Sequence, residues 1–228
     1  MNSSWPAEIR AILWKEFAGE LRSRTGLVTG GLFCLVTIVT AATALFNEDV
    51  NKRGLRDVCC SQIWVIVLFA AVLTLPRTFL AEEEQGTSDL LRLTARPHAV
   101  FWGKAIFNLI QTAALALLVA GLFVGLTGLE VRYPTMFLLC LLSGGAAMTG
   151  IVTACGAIAS RAANRTLLAG AIALPLIIAP CQWGVAGLRS ATGAGFPQDG
   201  WMAMLGLCAY AALTLLIAPW IYATIWKS

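Results

Sequence analysis

Residues 103–126 read GKAIFNLIQTAALALLVAGLFVGL, and after Lys104 no charged residue occurs until Glu130. A helix needs only about 20 mostly apolar residues to cross a bilayer core. Outward from this run, similar apolar stretches lie at roughly 26–46, 58–76, 135–159, 166–181 and 201–223. The whole chain agrees with its parts. Of its 228 residues 58% are hydrophobic and 12% charged, with a mean hydropathy of +0.78, whereas a soluble domain is about one quarter charged. So little charge cannot cover a surface in water. The expected fold is an all-α integral membrane protein, one transmembrane domain over 1–228 with six spans.

Ahead of the spans, residues 5–22 have a different character. Trp5, Ile9, Ile12, Leu13, Phe17 and Leu21 recur at helical spacing, with Glu8, Arg10, Lys15, Glu16, Glu20 and Arg22 between them. Such a helix lies in the membrane interface, or docks on a partner. No cleavable signal is expected from so polar a beginning.

Lys and Arg set the topology. A cytoplasmic N-terminus puts Arg10, Lys15, Arg22, Arg24, Arg77, Arg92, Arg96, Lys104, Arg161, Arg165 and Lys227 inside, leaving Lys52, Arg53, Arg56, Arg132 and Arg189 outside, 11 against 5. Both termini are then cytoplasmic. The fifth stretch is short, contains Pro175 and ends at Pro180, and a Gly-rich tract at 182–200 follows. Proline frees backbone carbonyls that must be satisfied inside a membrane, so this region reads as a broken or re-entrant hairpin at the outer surface. Gly121 and Gly125 form a GxxxG step, and Gly144, Gly145, Ala146, Gly150, Ala154, Gly156 and Ser160 make the fourth span rich in small residues. Both features allow close helix approach, within the chain or between two copies.

Several functions are disfavoured. No Asp, Glu, Lys or Arg occupies the middle of a span, where ion-coupled transporters place such groups. There is no phosphate-binding loop, since Gly103-Lys104 precedes alanine. The single His98 has no second ligand or nucleophile beside it, and six of the seven cysteines sit in or beside apolar segments without metal-ligand spacing. No catalytic, metal or cofactor residue is assigned, and ATP-driven work would need a nucleotide-binding partner.

The informative stretch is the loop after the second span. Glu82, Glu83 and Glu84 precede Gln85, Gly86 and Thr87, and Asp89, Leu90, Leu91, Arg92 and Leu93 follow. Thr87 is a cap for a short amphipathic helix that Pro97 stops. Three adjacent acids contribute little to topology, so the loop (80–98) is a candidate docking element.

With these residues, the EEEQGT block and Gly103-Lys104-Ala105 with Asn108, the chain resembles the cytochrome c maturation protein B (CcmB) family, permease subunits of haem exporters in the wider class of ABC permeases. Trp14-Lys15-Glu16-Phe17 and Leu174-Pro175-Leu176-Ile177 are similar to the family's N-terminal helix and fifth span. The resemblance implies an N-terminal interfacial elbow helix before six spans in the bacterial inner membrane. It also implies that Glu82, Glu83, Glu84, Gln85, Gly86, Thr87, Asp89, Leu90, Leu91 and Arg92 couple to a separate ATPase, CcmA, which binds ATP and Mg. The haem-handling subunit CcmC and the haem chaperone CcmE are implied partners, with two copies of this chain per complex. Haem is implied as cargo, either moved by this subunit or released with its chaperone. The Trp-rich outer loop of a haem-handling subunit is missing, so no haem-contacting residue is assigned.

Overall fold

The computed structural model describes residues 4–75, 77–84, 86–159 and 164–227. They form nine helices and no strand. These are α1 (Trp5–Ser23), α2 (Thr25–Ala44), α3 (Arg53–Thr74), α4 (Arg77–Glu84), α5 (Ser88–Thr94), α6 (Pro97–Thr127), α7 (Pro134–Ala159), α8 (Arg165–Ala191) and α9 (Pro197–Lys227). Helices α3, α6, α7, α8 and α9 are each long and apolar enough to cross a membrane, and α2 joins them as a sixth through its 66° bend with α1. The bend is made at Arg24, held in the left-handed region at φ 55 with its N–H on the Glu20 carbonyl. An N-terminal elbow leading into a bundle of five to six candidate spans is therefore present.

One aromatic residue organises the middle of the bundle. The indole of Trp64 on α3 is 1% exposed and lies against Gly144 of α7 and Gly184 of α8, where any Cβ would overlap the ring. Gly187 makes the same kind of room for Cys140, whose Sγ would lie 2.7 Å from an added Cβ. The small residues of α7 are thus spent on internal packing: Gly145 meets Thr112, and Gly150 meets Thr214. By contrast, Gly121 and Gly125 have no heavy atom near their open faces and point outward.

The expected short fifth span and re-entrant hairpin are replaced by a single helix. α8 runs 27 residues through both prolines, about 40 Å at 1.5 Å per residue. Pro180 cannot donate to the carbonyl four residues back, that of Leu176. The Tyr210 hydroxyl on α9 donates to that carbonyl at 3.0 Å instead. Gly184 and Gly187 are packing positions on this helix, not breaks, and the chain turns only at 192–196. There Gly193 takes φ +83, and the Ala194 N–H closes on the Arg189 carbonyl at 2.9 Å.

The alternation of helices separates two ends. One gathers α1, α4, α5 and the start of α6; the other gathers the 45–52, 128–133 and 192–196 connections. At the latter end Asn51 bridges to Gly128 and Glu130, and the Tyr133 N–H reaches the Ala191 carbonyl at 2.8 Å. The cysteines of the described residues are all free, and Cys60 lies buried beside Thr192.

Candidate functional site

The site is built on the first turns of α6. Gly103 has no side chain, and Ile12 of α1 fills the vacant space, with Cγ2 2.7 Å from where a Cβ would sit. One turn further on, Phe17 meets Phe107 edge to face at 5.0 Å. Ile9, Ile12 and Phe17 are therefore taken up by the chain's own bundle, while Trp14 and Leu21 remain outward. This docking carries Lys15 and Glu16 over the start of α6.

Lys104 lies beneath them, fully buried. An ammonium has three donors, and three acceptors surround this one. Glu16 is at 3.1 Å, Glu82 of α4 at 2.9 Å, and the Thr78 carbonyl accepts the third bond. The Phe79 ring centroid is 5.0 Å away on another side. Lys15 closes the knot, pairing with Glu16 at 3.0 Å and with the other Glu82 oxygen. Burial works against the Lys15 ammonium, but the Glu16 and Glu82 carboxylates outweigh it and hold its pKa above the ordinary 10.5. Two cations and two anions from three helices thus neutralise each other. A charge taken out of water costs several kcal/mol unless so compensated.

A second polar layer lies one turn deeper. Asn108, also fully buried, donates towards the Leu75 carbonyl and the Thr78 hydroxyl at 3.3 Å each and towards Thr153 at 3.0 Å. Another turn on, Thr112 and Thr149 share a hydrogen bond at 3.0 Å. Positions 104, 108 and 112 share one face of α6, so a polar track runs from the knot towards the bundle centre. At its start it clamps the carbonyls where α3 gives way to α4.

From that clamp the chain projects as an arm. The three acids expected in the docking loop stand on a helix of their own, α4, and Glu82 faces inward to the knot. Gly86 then takes φ +67, and the Thr87 N–H donates to the Glu82 carbonyl at 3.0 Å, the closure of a Schellman helix ending. Thr87 is the N-cap residue of α5 as expected, its carbonyl accepting the Leu91 N–H at 3.1 Å, but its side chain makes no cap hydrogen bond. Its hydroxyl turns back to the same Glu82 carbonyl at 3.4 Å. The block's logic is thus a helix stop: glycine permits the left-handed turn, and the next residue seals it. On α5, Leu91 packs inward while Leu90 and Leu93 are 65% and 86% exposed. Pro97 opens α6 as its first residue. Gln85 and the side chains of Glu83, Glu84, Asp89 and Arg92 lie outside the described residues.

His98, two residues into α6 territory, stacks edge-on against Trp220 at 5.6 Å. Among the described residues, no group of three His, Cys, Asp or Glu is placed to hold a metal ion.

Sequence reasoning missed the knot because Lys104 at the edge of a span reads as a topology marker. The available signal was polar spacing: Lys104, Asn108, Gln111 and Thr112 recur at helical intervals in an otherwise apolar run.

Two curated relatives carry the name Heme exporter protein B. The protein from Bradyrhizobium diazoefficiens is 28% identical over 212 residues, covering 92% of this chain and 93% of the relative. That from Pseudomonas aeruginosa is 28% identical over 183 residues, covering 77% and 79%. The sequence profile described as CcmB protein matches residues 7–227, from the first turn of the elbow helix to the end of α9, so this multi-pass membrane protein belongs to the CcmB family.

Proposed function

We propose that this chain is the membrane subunit of a haem exporter serving c-type cytochrome maturation, and that a separate ATPase drives it through the α4–α5 arm. Support for export of haem comes from the relatives' names, and support for the drive comes from the arm. The observation that carries the reading is the exposure of Leu90 and Leu93 on α5, which follows α4, whose Glu82 is bonded to buried Lys104. A protein that docks on those leucines gains a lever on α1, α4 and α6 together. The chain then needs no nucleotide site and no catalytic residue of its own; ATP and Mg belong to the partner.

In this reading the α1 end faces the cytoplasm, in accord with the Lys/Arg asymmetry, and the membrane is the bacterial inner membrane. The haem-handling subunit CcmC and the chaperone CcmE complete the assembly. Two copies of the chain accompany a pair of ATPases, and the outward Gly121–Gly125 step offers a face for helix contact. ATP hydrolysis either moves haem or frees a haem-loaded chaperone. Stalled hydrolysis that leaves haem on CcmE points to release, and haem retained before CcmE points to transport.

The test is Leu90→Asp with Leu93→Asp. The variant should still insert and keep the knot, yet lose the co-purified ATPase and c-type cytochromes. Undiminished ATPase binding and cytochrome levels would sink the docking reading. Orientation is checked separately by thiol labelling of Trp14→Cys and Gln198→Cys, both exposed, in a Cys208→Ala background. Labelling of Gln198→Cys from the cytoplasmic side alone would overturn it.

A further inference from the structure

At the end opposite the arm, two clefts of about 500 and 390 Å³ share one wall, the Arg56 side chain. Arg132 borders the larger cleft and Arg53 the smaller, and the 192–196 turn separates them. Two of the cations at this end have internal work. Arg189 pairs with Asp57 at 2.7 Å, and Arg56 donates to the Thr192 carbonyl at 2.8 Å and reaches Glu130 at 3.4 Å. Arg53 and Arg132 pair with no carboxylate among the described residues. Arg132 touches the Tyr133 ring face, its Cδ held 3.1 Å from a Cβ position on Gly193. The end carries other acids, Glu48, Asp49 and Asp199, but Glu130 is the one acid that borders either cleft. Charge here is segregated, with three guanidiniums turned to the clefts.

Arg53 and Arg56 also occupy the first turn of α3, where a helix favours anions. Guanidiniums in this setting suit a planar or branched oxyanion, which they bind by two parallel hydrogen bonds. The rim adds Phe196, 75% exposed beside Arg53, an apolar surface next to the charge.

We infer that these clefts bind the oxyanions of an amphiphile, a carboxylate or phosphate at Arg53 with Arg56 in the smaller cleft or at Arg132 with Arg56 in the larger, with its apolar part against Phe196 on the smaller cleft's rim. Two sources share that chemistry: an acidic phospholipid headgroup, and the carboxylates of a tetrapyrrole. The second rests on the haem-export reading; the first does not.

The experiment uses the full chain in nanodiscs and compares it with Arg53→Gln/Arg132→Gln. Arg56 is left in place because it holds the 192 turn. In phosphatidylcholine discs, haem and its dimethyl ester are the probes. In discs containing phosphatidylglycerol, native mass spectrometry counts retained lipid. A tetrapyrrole site gives a preference for haem over its ester of about tenfold that the double variant erases. A headgroup site gives retained phosphatidylglycerol that the variant loses, with no haem preference. Arg53→Lys/Arg132→Lys should recover only part of either effect, since the fork is gone. Unchanged thermal unfolding confirms that the variants fold. If the double variant alters neither binding, the inference is overturned, while the arm's role in ATPase docking is untouched.

Discussion

The two ends of the bundle treat charge in opposite ways. At the α1 end, Lys104 is buried at 0% exposure and every donor it has is met by α1 or α4. At the 192-turn end, Arg53 and Arg132 face open clefts and pair with no carboxylate among the described residues, whereas Arg56 and Arg189 are tied down. Buried, matched charge holds elements in one geometry, because any displacement separates ions in a low dielectric. Exposed, unmatched charge holds nothing together, and is free to meet something else. The first end is built to keep α1, α4 and α6 moving as one body; the second is built to receive.

The sharpest break of this contrast is Lys104→Met. It strips the knot of its central cation and leaves Glu16 and Glu82 short of a partner, a loss of about 3–5 kcal/mol for a broken buried pair. Unfolding in detergent should show it, and Lys104→Met/Glu82→Gln should recover a part. Arg53→Gln and Arg132→Gln at the other end should each shift stability by less than about 0.5 kcal/mol. Equal losses at both ends would dissolve the distinction.

A smaller effect concerns what lies between the ends. Gly144→Ala drives a methyl group into the Trp64 ring, and overpacking of this kind costs about 1–3 kcal/mol. Unchanged thermal unfolding would mean that the ring has room to move. Tyr210→Phe removes the donor to the Leu176 carbonyl that Pro180 leaves unpaired, worth about 1 kcal/mol. Hydrogen exchange just before Pro180 should rise while the knot stays protected.

The smallest effect is with pH. A raised Lys15 pKa gives stability that is complete below the ordinary 10.5 and lost only as pH climbs through the raised value. Lys15 therefore contributes no pH dependence through the neutral range, and a Lys15→Met variant should differ from the parent by a constant amount there. A difference that fades before the alkaline region would contradict the pairing.

Composition and hydropathy reveal six spans and an elbow, since those depend on matching apolar length to lipid. They mislead at α8. Pro175, Pro180 and the glycines after them signal a break, yet the helix persists because a tyrosine 34 residues away satisfies one freed carbonyl and because Trp64 and Cys140 need the glycines' open faces. Those partners come from other helices and leave no local trace. At the arm, the sequence marks out the region and its glycine but hides the roles within it. A run of three acids looks uniform, whereas folding turns Glu82 to Lys104 and Lys15. Thr87 reads as a cap for the helix after it, and it does begin α5, but with Gly86 it also seals the helix before it. Lys104 carries the lesson most plainly: at the edge of a span it marks a topology, and only the docking of α1 across Gly103 shows that it is buried.

The proposed drive at the α5 leucines is tested most directly by a photocrosslinking residue placed at Leu93 in the full complex, with Phe196 as the matched position at the other end. Such a drive requires an adduct with the proposed ATPase from Leu93, weakened by Leu90→Asp, and none with that partner from Phe196. An adduct with it from Phe196, or a Leu93 position that crosslinks only to lipid while ATP hydrolysis proceeds, would contradict it.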